Sequence, residues 1–219
     1  MPEKVLLLVN LGSPDSPSTH DVRKYLRQFL MDGRVIDIPA FPRWLLVNGV
    51  IAPFRAPTSA AKYQSIWTNE RSPLIVYTQE LAQKLENYSG IPVYYAMRYG
   101  NPGPDKVLDE ICEDHPGVKE VILFPLYPHY AMSSYETAVE YVRNIWQSGQ
   151  YSFHMRMVEP YYNHSEYIEA LSQSIVPWLN DEYDHLLFSY HGIPERHLEK
   201  NDPTGHHCLS DQDCCQTPS

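Results

Sequence analysis

Val5-Leu6-Leu7-Leu8-Val9 is an unbroken aliphatic run, closed by Asn10-Leu11-Gly12-Ser13-Pro14-Asp15. A strand with one wet face alternates apolar with polar residues, whereas a strand covered on both faces reads as a continuous apolar run. The run therefore predicts a fully buried strand, followed by a loop from Leu11. Such a strand needs helices on both sides of its sheet.

The residues that follow supply them. Ser18 or Thr19 caps a helix with Asp21 in its first turn and Val22, Tyr25, Leu26, Phe29 and Leu30 along one face, closed by Gly33. Between Ile38 and Pro57 four prolines, Pro39, Pro42, Pro53 and Pro57, break up an apolar segment, predicting an irregular stretch with a helix of a turn or two between Pro42 and Pro53. A long helix is expected from Pro73 to Gly90, lined by Tyr77, Leu81, Leu85 and Tyr88. Further strands are expected at Val93–Met97, Val118–Phe124, Phe153–Val158 and His185–Tyr190. Helices are expected through Val107, Leu108, Ile111 and Cys112, at Glu136–Gln147, and at Glu166–Leu179 with a break at Pro177. Strands alternating with helices predict an α/β fold with parallel sheets. The connector Glu159-Pro160-Tyr161-Tyr162 is a boundary between two such units, dividing the chain into 1–158 and 159–219.

Composition narrows the function. The 219 residues carry 17 Lys and Arg against 27 Asp and Glu, a formal net charge of −10, and no basic run. That balance argues against nucleic acid as a partner, because neutralising phosphates needs a basic stripe. No apolar run approaches the length of a bilayer span and no signal-peptide pattern opens the chain, so a soluble, cytoplasmic protein is expected. Gly-x-Ser-x-Gly, Gly-x-Gly-x-x-Gly and the phosphate-loop pattern are all absent.

In open α/β sheets ligands bind beyond the carboxyl ends of the strands. Four loops reach that place: Asn10–Asp15, Arg98–Pro102, Pro125–Tyr130 and Ser189–Arg196. They bring Ser13, Arg98, Tyr99, Tyr127, His129, Tyr130 and His191. An imidazole at His191, beside Gly192, can take a proton near neutral pH or ligate a transition metal. A histidine at a strand end is equally a hydrogen-bonded structural group, and the residue alone leaves both readings open. His129 sits between prolines in a loop that can be wholly structural. Arg98 suits a carboxylate, whether from a ligand or from an ion pair within the protein.

Five segments, in order, then resemble those of one family. They are Val9-Asn10-Leu11-Gly12-Ser13-Pro14, the stretch Tyr63–Leu74 with Ser72-Pro73-Leu74, Met97–Pro102, Leu126-Tyr127-Pro128-His129-Tyr130, and Ser189-Tyr190-His191-Gly192-Ile193-Pro194-Glu195-Arg196. Together, from about Val5 to Thr204, they resemble the signature segments of ferrochelatases, which insert ferrous iron into a porphyrin in haem biosynthesis. The resemblance implies two Rossmann-like half-domains with a cleft between them. It implies that His191 is the active-site histidine, taking pyrrole protons or holding Fe²⁺. It further implies that Leu11, Ser72, Arg98 and Tyr99, with Tyr127, His129 and Tyr130, line a protoporphyrin pocket. By the same resemblance Trp44–Phe54 is a lip that in some members touches membrane.

Family members continue well beyond position 219. The resemblance therefore implies a chain truncated in its second half-domain, lacking the carboxylate that faces His191 and having little catalysis of its own. Three of the four cysteines, Cys208, Cys214 and Cys215, fall in the last twelve residues. Some ferrochelatases carry a [2Fe–2S] cluster on four cysteines, which makes these three candidate ligands, while Cys112 reads as a core thiol. The alternatives are a porphyrin- or metal-binding protein without catalysis, and an iron–sulfur module built on the tail.

Overall fold

The computed structural model describes residues 2–179, 184–210 and 213–216. The chain divides into two compact units, Met1–Glu159 and Pro160–Ser219.

The first unit is built on four strands, β1 (Lys4–Ser13), β2 (Val93–Gly100), β3 (Glu120–Pro125) and β4 (His154–Met157). They form one all-parallel sheet in the order β2-β1-β3-β4. The apolar run of β1 explains its central place, because its alternate residues serve two different cores. Val5, Leu7 and Val9 pack with Val107, Leu108 and Ile111 of α5 (Pro104–Asp114) and with Ala138, Val139 and Val142 of α6 (Thr137–Ser148). On the opposite face Leu6 and Leu8 meet Ala82 and Leu85 of α4 (Pro73–Ser89). A strand that feeds both faces has no room for a polar alternation.

Both β1 and β2 run further than their apolar patterns predict. Pairing continues through Gly12 with Tyr99 and Ser13 with Gly100, so Leu11–Ser13 and Arg98–Gly100 are strand rather than loop. Two glycines make this close approach permissible. Gly12 has φ 101°, and a Cβ there would lie 1.7 Å from the Tyr99 carbonyl oxygen; Gly100 has φ 82°, and its Cβ would lie 2.4 Å from that of Ser13. Gly12→Ala should therefore destabilise the unit by about 2–3 kcal/mol through strain and lost strand pairing. A denaturant midpoint equal to that of the parent would show that the strand ends are not held by this contact.

Ser18 caps α1 (Thr19–Leu30), its hydroxyl accepting from the Asp21 N–H, and Val22, Leu26 and Leu30 are buried as the spacing requires. The proline-rich stretch departs from expectation. It is continuously helical, as α2 (Ala40–Leu45), a π-helical turn (Leu46–Ile51) and α3 (Ala52–Ile66). Pro42 falls in the opening turn of α2, where a missing N–H costs least, and Pro53 follows directly on the wide π turn. Only Pro57 sits inside a helix.

Helix α4 has the expected bounds and ends at Gly90, whose φ of 67° gives a left-handed cap. Its buried face differs from the one read from the sequence. Ile75, Thr78 and Ala82 face the protein, while Tyr77, Leu81 and Tyr88 are exposed. The small side chains of Thr78 and Ala82 let the helix lie close on β1 and β2, which the aromatic face would prevent.

The second unit contains α7 (Ser165–Ile175), a 3₁₀ turn (Val176–Trp178) at the expected break, and α8 (Glu195–Asn201). The strand expected at His185–Tyr190 is not formed, and Leu187 is 89% exposed. No strand occurs among the described residues of this unit. An apolar run becomes a strand only when another strand completes its ladder, and none is found among the described residues of this unit.

Candidate functional site

Strand order puts the crevice of the first unit at the carboxyl ends of β1 and β3. The chain leaves β1 toward β2 on one side and leaves β3 toward β4 on the other, so the connections diverge at that point. Leu11 lies there, half-buried, its N–H bonded to the Asn10 side-chain oxygen at 2.8 Å; the Asn10 amide in turn donates to Thr78 Oγ1 at 3.0 Å.

At the end of β2, Arg98 and Tyr99 enter a buried polar network centred on Asp32, just past the end of α1. Arg98 Nη2 forms an ion pair with Asp32 Oδ2, with the two side chains 12% and 7% exposed. The same oxygen accepts the Tyr99 hydroxyl at 2.9 Å and the Thr137 hydroxyl, while Asp32 Oδ1 accepts the Arg34 N–H at 2.7 Å. Arg98 Nε donates to Thr137 Oγ1 at 2.9 Å and to the Thr137 carbonyl at 3.1 Å. The guanidinium carbon lies 4.3 Å from the Tyr99 ring centre and 4.1 Å from that of Tyr141. Burial pushes the Asp32 carboxyl up, but the Thr137 hydroxyl, the Arg34 N–H, the Arg98 charge and the Tyr99 hydroxyl outweigh it and hold the pKa below its ordinary value. The fork of Arg98 thus holds a carboxylate that belongs to the protein. Asp32 and Thr137 carry no periodic or motif signal; they meet Arg98 across 66 and 39 residues of sequence.

Tyrosines crowd around this network. Tyr25 donates to the Gly12 carbonyl at 3.1 Å, and Phe29 packs edge-on against Tyr99 with ring centres 5.1 Å apart. Among the described residues the Tyr127 hydroxyl, which is buried, has no hydrogen-bond partner, and neither does that of Ser13. Burial, reinforced by Tyr99 and Tyr25 nearby, pushes the Tyr127 phenol up, so it stays a neutral donor. Tyr130 is exposed and donates to Glu136 at 2.6 Å, while His129 is exposed. Ser72 is buried at the N-cap of α4, where its carbonyl accepts the Ile75 and Val76 N–H groups.

A groove of about 880 Å³ lies along the outer edge of β2, between α4 and α5. It is the space beside an edge strand, where Glu86 takes the Val93 N–H at 3.0 Å, and its lining runs from Pro92 at the start of β2 to Asn101 and Pro102 just past its end.

His191 and the cysteines belong to the second unit. His191 is exposed, with Nδ1 2.6 Å from the Gly192 carbonyl oxygen. A carbonyl only accepts, so Nδ1 is the donor in this contact, and it is Nε2 that can serve as a base or a metal ligand. Asp202 organises the cysteine loop: it accepts the Cys208 N–H at 2.8 Å, the Thr204 hydroxyl and N–H, and the His207 N–H at 2.6 Å, and these bonds hold its pKa down. Cys214 is buried, Cys208 half-buried and Cys215 exposed. Burial pushes the Cys208 thiol up, and the neighbouring Cys214 does so for Cys215. Among the described residues no group of three or more His, Cys, Asp or Glu side chains is arranged to hold a metal ion. The expected [2Fe–2S] cluster is therefore not supported by this arrangement.

Comparison with known proteins agrees with the motifs. A family model described as ferrochelatase matches residues 3–216. The chain is 49% identical over 222 residues to a ferrochelatase of Opitutus terrae, with all of this chain and 64% of that protein covered. It is 47% identical over 218 residues to one of Pseudomonas syringae pv. tomato and 46% over 217 residues to one of Azotobacter vinelandii, in each case with 99% of this chain and 63% of the relative covered. The chain thus spans somewhat less than two thirds of the length of these relatives. With a parallel sheet, the motif-bearing strand ends and a match over nearly its whole length, the chain belongs to the ferrochelatase family.

Proposed function

We propose that this chain is part of an enzyme that inserts Fe²⁺ into protoporphyrin IX to form protohaem. The observation that carries the reading is the family match over residues 3–216, within which His191-Gly192-Ile193-Pro194 stands intact. In this reading residues 1–158 form the first half-domain and 159–219 the start of the second. Iron and porphyrin are substrates. Two pyrrole N–H protons must leave before the metal can enter the ring plane, and the free Nε2 of His191 suits their removal or the delivery of Fe²⁺. Leu11, Tyr127, His129 and Tyr130 contact the macrocycle and its carboxylates, and the buried Ser72 and Tyr99 support the wall of that pocket. Arg98, already paired with Asp32, contributes mainly by fixing Tyr99 and less as a free cation. The test is anaerobic haem formation from protoporphyrin and Fe²⁺ by the same sequence carried on to the length of its relatives. Porphyrin binding without haem formation by that longer protein would favour a non-catalytic binding protein instead.

The same reading extends to a membrane surface at the lip. Phe41 and Phe54 are 71% and 75% exposed, and Trp44, Leu45 and Val50 are exposed beside them. No acidic residue occurs between Asp37 and Glu70, whereas Arg43, Arg55 and Lys62 do, in a chain of net charge −10. An apolar patch edged by cations suits an anionic lipid surface. No helix among the described residues is long and apolar enough to cross a membrane, and the contact proposed for the lip is a peripheral one. Changing Phe41, Trp44 and Phe54 together to serine should leave the melting temperature nearly unchanged and weaken binding to phosphatidylglycerol vesicles at least about tenfold. Equal vesicle binding by parent and variant would remove the lip from this role.

A further inference from the structure

Helix α2 carries Phe41, Trp44 and Leu45 outward and buries none of its own residues, and it runs on into the π turn, whose Val47 is buried in one cluster with Val22 and Leu26 of α1. Helix α3, by contrast, packs Ala56 and Ala60 on Val22, Leu26 and Leu30 of α1. The hydrogen bonds that α2 makes to the 32–38 turn come from Arg43. Arg43 Nη1 donates to the carbonyls of Ile36 and Ile38, both at 3.1 Å, and covers Gly33, where a Cβ would lie 2.7 Å from it. The 32–38 turn is pinned in its own way. The Val35 and Ile36 N–H groups bond to the Asp32 carbonyl, and the Arg34 N–H bonds to the Asp32 side chain. Arg34 Nε reaches Glu136 Oε1 at 2.8 Å, and the other oxygen of Glu136 accepts the Tyr130 hydroxyl at 2.6 Å. Glu136 directly precedes Thr137, which together with Asp32 holds Arg98.

We infer that Arg34 and Glu136 are positioning residues for the lip: their ion pair ties the 32–38 turn to the start of α6 and, through Arg43, sets where α2 stands at the mouth of the site. The same pair orients Tyr130. Neither residue needs to touch substrate. Its effect on porphyrin affinity rests on the function proposed above, whereas its effect on α2 does not.

The experiment is a charge swap. Arg34→Glu and Glu136→Arg, singly and together, are followed by amide hydrogen exchange over residues 33–45 and by titration with protoporphyrin at its main visible absorption band. Each single change should speed exchange over 33–45 about tenfold while leaving β1 and β3 amides at parental rates, and the double change should restore slow exchange. Protoporphyrin affinity should fall about three- to tenfold in each single variant and recover in the double. Glu136→Gln, which breaks the ion pair but still accepts from Tyr130, gives the same exchange signature if a swapped variant folds poorly. Parental exchange in Glu136→Gln, or a double swap no better than the singles, would overturn the inference. A parent that binds no protoporphyrin would count against the proposed function, while the exchange data would still decide the role of the pair.

Discussion

Replacing His191 by alanine in the protein carried to the length of its relatives is expected to lower haem formation by about 10²–10⁴-fold, the usual contribution of one positioned proton-transfer group. Protoporphyrin affinity should change far less, because the imidazole acts on the ring nitrogens and not on the bulk of the macrocycle. The Nδ1–H to Gly192 carbonyl bond gives this expectation its geometry, since it leaves Nε2 as the reactive nitrogen. Initial rates measured anaerobically over a range of Fe²⁺ concentrations would separate the two roles open to that nitrogen. A rate restored by high iron points to metal delivery, and a rate low at all iron concentrations points to proton removal. Full activity in His191→Ala would remove the residue from the chemistry altogether.

The second large effect is expected at Asp32. Asp32→Ala strips the partner from a buried Arg98 and leaves the Tyr99 and Thr137 hydroxyls without their acceptor. Breaking a buried pair from one side costs about 3–5 kcal/mol, since the remaining charge stays desolvated. In a unit of this size that lowers the melting temperature on the order of 10 °C. Asp32→Asn should cost less, because the amide oxygen still accepts one of the bonds. The carboxyl's pKa in the folded state lies below its value in the unfolded chain, near about 3.9. Its stabilisation is therefore complete above that unfolded value and is lost as the pH falls through the lower, folded one. Melting curves from neutral pH downward should show the gap between parent and Asp32→Asn constant until the acid end, then closing. A gap that is absent at neutral pH would show the network to be dispensable.

These two residues divide what could be read without a structure from what could not. The motif around His191 was legible because it is local: Ser189 to Arg196 is a continuous stretch, and such a signature survives in a linear string. Asp32 was not legible, because nothing near it in sequence marks it; its role comes from partners brought to it by the sheet and by α6. The exposed face of α4 makes the same point in reverse. Tyr77, Leu81 and Tyr88 have helical spacing and high apolarity, yet Thr78 and Ala82 are the residues that face the sheet, because there closeness of approach outweighs side-chain size.

The aliphatic run at Val5–Val9, the caps at Ser18 and Gly90, and the ordered motifs were sufficient on their own for a parallel α/β sheet and for family membership. Each depends on local propensity or on periodicity, and both are properties of neighbouring residues. Tertiary structure alone decided that β1 and β2 run on through Gly12 and Gly100, that Arg98 is held by Asp32, and that His185–Tyr190 forms no strand. Those outcomes depend on which distant backbone or charge is available as a partner. A hydrogen bond or ion pair between segments tens of residues apart has no signature in either segment until the chain folds.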